Sequence, residues 1–177
     1  MFGKVASFEF GYQLKNPVLW IAFIIFFLLT FGSVTVDFIQ IGSTGNVHVN
    51  SPFAIINTMA IMAIFGQFAV VAFVANIVIR DDETGFAPMI RATQINKFDY
   101  LFGRFLGAFL ASLIIMLAIP LAMIIGSFMP WLDPEELGPL VLWHYAYAFG
   151  VAAFPTLLLC ASMFFALATV TRSMMAT

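Results

Sequence analysis

Charge is so sparse in this chain that its few charged residues mark out the architecture. They leave four uncharged windows, 16–36, 38–79, 105–132 and 137–171, of 21, 42, 28 and 35 residues. A helix needs about 20 apolar residues to cross the hydrocarbon core of a bilayer, so each window has room for a crossing. The second could hold two by length, but Gly42-Ser43-Thr44-Gly45-Asn46 and Asn50-Ser51-Pro52 carry turn chemistry and leave one helix. The expected spans are therefore about 18–36, 53–79, 105–129 and 145–170. Runs such as 21–31 do not alternate polar and apolar as a barrel strand would. The fold class expected is an all-α integral membrane protein with four transmembrane helices, treated as one domain. Composition agrees: 63% of residues are hydrophobic and 9% charged, against about 25% charged in soluble domains. One soluble core of this size cannot hide that much apolar surface, which excludes a soluble enzyme. A net charge of -2 gives no reason to expect a nucleic-acid partner. The single Cys160 excludes an internal disulfide and a cysteine-rich metal site.

With four spans, all seven basic residues, Lys4, Lys15, Arg80, Arg91, Lys97, Arg104 and Arg172, fall on one side. The positive-inside bias makes that side cytoplasmic, so both chain ends are expected there. The opposite loops, about 37–52 and 130–144, hold only acids among charged residues: Asp37, Asp133, Glu135 and Glu136. The first apolar run is longer than a signal-peptide h-region and ends without a small-x-small cleavage site. The expected location is a plasma membrane, the inner one in a bacterium.

Residues 2–15 precede the first span. Lys4, Ser7, Gly11 and Lys15 recur at spacings of 3, 4 and 4, a narrow polar stripe on a helix, while Phe2, Val5, Phe8, Tyr12 and Leu14 fill much of the rest. Such a segment suits the membrane interface, with lysines toward phosphates and aromatics toward acyl chains. Asn16-Pro17 then ends it before the crossing begins.

Half of the chain's charged residues lie in 80–104. Asp81, Asp82 and Glu83 are acidic, Gly85 and Pro88 punctuate the backbone, and Met89, Ile90, Ile95 and Phe98 are apolar anchors. A short amphipathic element of this kind suits a groove on a partner protein; an ordinary solvated loop with balanced charges accounts for the residues equally well.

The pattern Glu83-x-Gly85-Phe86-x-x-Met89-Ile90-x-Ala92-Thr93-x-Ile95, followed by Tyr100-Leu101-x-Gly103-Arg104, resembles the first cytoplasmic loop of ABC-2-type transporter permeases. The stretch Phe8-Glu9-Phe10-Gly11-Tyr12-Gln13-Leu14-Lys15-Asn16-Pro17 resembles that family's interfacial elbow. The resemblance implies the membrane subunit of an ATP-driven transporter, an exporter by kinship, paired with a separate cytoplasmic ABC ATPase. It further implies a coupling helix at about 86–95, with Glu83, Gly85, Phe86, Met89, Ile90 and Ile95 as the partner-coupling residues. Two permeases, identical or different, would meet two ATPases in the bilayer. ATP and Mg would be bound by the ATPase, with no cofactor in this chain. Family members usually have six spans, so four suggest a piece of a longer permease. The alternative is a non-transporting membrane scaffold that uses the same loop to recruit a cytoplasmic protein.

No Asp, Glu, Lys or Arg falls within the expected spans. Ion-coupled carriers usually keep such residues in the bilayer, so their absence disfavours that class but not an ATP-driven one. No phosphate-binding G-x-x-x-x-G-K-[ST] and no H-E-x-x-H is present, so neither catalysis nor a metal site is expected here. Gly103, Gly107 and Ala111 form a small-residue stripe suited to close helix packing. Pro120 and Pro155 are mid-span and are expected to kink the third and fourth helices.

Overall fold

Polar residues placed just before three of the helices set where they begin. The computed structural model describes residues 2–36, 48–83, 96–132 and 137–171, leaving out the side chains of 75–83, 97 and 171. Helix α1 covers Phe2–Leu14 and α2 covers Pro17–Thr35. Between them Asn16 Oδ1 accepts from the Val18 amide at 3.0 Å, and Pro17 occupies the first helical position, where its missing N–H costs nothing. The same device opens α3, Pro52–Glu83: Ser51 Oγ accepts from the Ala54 amide at 3.2 Å, ahead of Pro52. Helix α4 runs Lys97–Gly126, capped by Asn96, whose Oδ1 accepts from the Phe98 amide at 3.3 Å. Asp99 lies in its first turn, where the helix dipole favours a carboxylate.

Helix α5, Leu142–Ala148, passes through a π-helical turn, Phe149–Ala153, into α6, Phe154–Thr171. In that turn the Phe154 amide donates to the Phe149 carbonyl five residues back. The cause is Pro155, which has no N–H and would press its ring on the preceding turn of an ordinary helix. Thr156 Oγ1 then donates to the Ala152 carbonyl at 2.8 Å, supplying a donor where the backbone ladder is disturbed. Pro120 is different: it is buried, and α4 is helical without interruption across it.

Among the described residues, four stretches are long and apolar enough to cross a membrane: Pro17–Thr35, Pro52–Val74, Phe98–Gly126 and Leu142–Val170. The protein is a multi-pass membrane protein, all-helical among the described residues. The third span begins earlier than the expected 105, because Asn96 and Asp99 supply a cap and a first-turn acid that extend the helix back through Arg104. The charged segment 80–104 is correspondingly divided. Residues 80–83 close α3 and 97–104 open α4.

The chain forms two compact units, each with its own packing. One comprises Met1–Trp20, Gln67–Leu113 and Leu157–Thr177, over their described residues. Here Phe105 packs on Phe165 with ring centroids 5.1 Å apart, and stacks with Phe109 one turn along its own helix. The other comprises Ile21–Gly66 and Ile114–Thr156. Its core holds fully buried Ile55, Met59, Met62, Met116, Ile119 and Met123, a set rich in methionine, whose unbranched thioether fills irregular gaps. Gly66 faces the end of the Met116 side chain, and Gly126 lies against Val34.

Candidate functional site

The most distinctive chemistry sits where α1 meets the start of α4. Helix α1 turns Ala6, Glu9 and Gln13 inward. They are spaced three and four residues apart, so they share a face. The opposing surface of α4 is made of glycine. A Cβ on Gly103 would lie 2.9 Å from Val5 Cβ, and one on Gly107 would lie 2.7 Å from Glu9 Cβ and 3.0 Å from the Phe10 amide nitrogen. The two backbones approach this closely only because α4 presents no side chain there. Ala111, one turn further, is fully buried.

Into this contact α4 sends Arg104. Its Nε lies 3.3 Å from Glu9 Oε2, an ion pair whose side chains are 6% and 2% exposed. Its other end is held as well: Nη1 donates to the Tyr100 hydroxyl at 2.6 Å, and the guanidinium carbon stands 5.3 Å from the Tyr100 ring centroid. Gln13 Nε2 donates to the second Glu9 oxygen at 3.2 Å, so both carboxylate oxygens accept hydrogen bonds. Gln13 Oε1 is buried with no hydrogen-bond partner. A charge pair withdrawn from water this far is stable only while both members are present. The arrangement makes α1 and the first turns of α4 a single mechanical piece. The junction with the first span is fastened too, since Trp20 Nε1 donates to the Leu14 carbonyl at 2.9 Å.

In the other unit, the segments before α3 and before α5 are joined by one side chain. Asn50 Nδ2 donates to the Gly138 carbonyl at 2.6 Å, and Asn50 Oδ1 accepts from the Gly138 amide at 2.7 Å. A side-chain amide here pairs with a backbone amide as a neighbouring strand would.

Of the expected coupling residues, Glu83 is the last residue of α3. Gly85, Phe86, Met89, Ile90 and Ile95 lie outside the described residues. The structure brings Gly103 and Gly107 against α1. On α1, Lys4 and Ser7 are exposed and Gly11 half-buried, on the side away from Glu9 and Gln13, and Lys15, also exposed, directly follows the helix. The sequence puts Glu9 and Gln13 in the elbow-like stretch, Arg104 among the basic residues of one side and Asn50 in a turn, but it pairs none of them with a partner. One local signal existed for the first two: an acid and an amide one turn apart in a helix whose remaining residues, Lys4 and Ser7 apart, are apolar, aromatic or glycine.

Residues 33–177 match the model of the ABC-2 family transporter proteins. The match leaves α1 and most of α2 outside it. No curated protein and no solved structure matches the chain.

Proposed function

The chain belongs to the ABC-2 family of transporter proteins, and on that premise we propose that it is the membrane subunit of an exporter driven by a separate cytoplasmic ATPase. Members of this family are membrane components of transporters and do not themselves hydrolyse ATP. The energy enters through the segment 80–104, with Glu83, Gly85, Phe86, Met89, Ile90 and Ile95 as the contact with the ATPase. The N-terminus and the end of α6 lie on the cytoplasmic side, and α1 lies in the membrane interface as an elbow. Two permeases assemble with two ATPases.

The observation that carries this reading is the buried Glu9–Arg104 pair. Arg104 is the last residue of the charged segment, and it is locked to α1. A push on the segment therefore displaces α4 and the elbow together rather than bending a loose connection. Among the described residues, the spans carry charge only at Asp99 and Arg104, both in the opening turns of α4. This fits energy delivered from the membrane surface rather than by an ion crossing the bilayer.

The test is a tagged purification from native membranes in mild detergent, with mass spectrometry of everything bound. A P-loop ATPase in near-equal amount is the expected result. Its absence would overturn the transporter reading in favour of a membrane scaffold. In the intact complex, Gly85→Trp should leave assembly and basal ATP hydrolysis in place while abolishing transport. Transport at the unmodified level in that variant would remove the segment from the coupling path.

A further inference from the structure

We infer that the outward face of α1 is a binding surface for anionic phospholipid headgroups. This rests on the reading that α1 lies in the membrane interface, and adds to it a lipid class.

Residues 2–15 contain two lysines and one acid, a nearly balanced set by sequence. The structure separates the signs. Glu9 is turned inward and paired with Arg104, with 2% of its side chain exposed. Gln13 is turned inward as well. Lys4 and Lys15 remain on the outside with Ser7. The outward face of α1 is thus cationic without an acid of its own. Beside the lysines stand Phe8 and Tyr12, one turn apart and 71% and 47% exposed. A lysine stripe flanked by exposed aromatics is the chemistry of a helix seated between phosphates and acyl chains.

Two further features favour a lipid over a transient contact. The helix cannot roll to hide its aromatics, because the close approach to Gly103 and Gly107 and the ion pair fix its rotation. The lysines are eleven residues apart, about 16 Å along a helix. They cannot share one phosphate, so each would meet its own headgroup. A lysine near an anionic membrane surface is favoured by about 1 kcal/mol, roughly a fivefold local enrichment of anionic lipid.

Trp20 is a built-in reporter, since its indole donates to the Leu14 carbonyl next to Lys15. The full chain, with Trp131 and Trp143 replaced by Phe, would be placed in nanodiscs of phosphatidylglycerol and phosphatidylcholine. In one set only the phosphatidylglycerol carries brominated chains, and in the other only the phosphatidylcholine, at matched mole fraction. Trp20 should be quenched several-fold more by brominated phosphatidylglycerol. The preference should vanish in Lys4→Gln/Lys15→Gln and shrink in 0.5 M salt. Equal quenching by the two lipids overturns the lipid preference and leaves the interfacial placement standing. Quenching by neither overturns the interfacial placement itself. A preference that persists in the double lysine variant overturns the assignment to this face.

Discussion

Breaking the Glu9–Arg104 pair one member at a time, and then replacing both, separates a buried charge pair from ordinary packing. Glu9→Ala leaves a guanidinium that keeps its contacts with Tyr100 and cannot lose its charge. Removing one member of a buried pair costs about 3–5 kcal/mol. Gln13 Nε2 also loses its acceptor, which adds about 1 kcal/mol. Arg104→Ala strands the carboxylate with Gln13 alone from this set, again at about 3–5 kcal/mol. For a chain of this length each kcal/mol moves Tm by about 2–4 °C. The expected losses are thus roughly 8–24 °C for Glu9→Ala and roughly 6–20 °C for Arg104→Ala. Glu9→Leu/Arg104→Met fills the same space with apolar groups, a replacement often neutral or better, so its Tm should return to within a few degrees of the parent. The assay is thermal loss of the monodisperse peak in size-exclusion chromatography, in one detergent at fixed concentration. If the double variant loses as much as the two single variants added together, the residues do not act as a pair. Single variants within about 2 °C of the parent would mean the carboxylate and guanidinium are solvated, and the mechanical link between α1 and α4 would fall with them.

A glycine inside the α1–α4 contact and one outside it should respond in opposite directions. Gly107→Val places atoms where Glu9 and Phe10 already stand, an overpacking that costs about 1–3 kcal/mol, whereas Gly11→Ala meets open space and should gain about 0.5–1 kcal/mol from helix propensity; the same Tm assay reads both. Asn50→Asp keeps the acceptor for the Gly138 amide but turns an oxygen toward the Gly138 carbonyl. It should therefore be at least as destabilising as Asn50→Ala, which orphans both groups at about 1–3 kcal/mol each. Asn50→Asp at parental Tm would show that the clamp contributes nothing.

The spans were readable because the physics that places them is local. Asn16-Pro17 ends one helix and caps the next within three residues, and Ser51-Pro52 opens another in the same way. An uncharged run of 28 residues leaves little else for 105–132 to become. The start of α4 was missed because Lys97, Asp99 and Arg104 make the stretch read as loop. A buried arginine is tolerated only by virtue of its partner, and here the partner is 95 residues away. The Asn50 clamp has the same character, spanning 88 residues. The small-residue stripe could be seen in sequence, but what covers Gly103 and Gly107 could not. Stripes of this kind serve contacts within a chain and between chains alike, and only the fold assigns α1 as the occupant.

The π turn between α5 and α6 bears on how this span is to be counted. Its buried residues run Tyr145, Ala148, Ala153, Leu157, Ala161, Phe165 and Ala168, in steps of three or four everywhere except one step of five across the turn. The widened turn absorbs one surplus residue, so the inward stripe continues on the same face beyond it. A chain one residue shorter between 149 and 153 would draw the same stripe as an unbroken α-helix. Alignments that pair this span with one lacking the surplus residue must therefore open their gap inside the turn. Placed anywhere else, the gap would match lipid-facing positions of one protein to enclosed positions of the other.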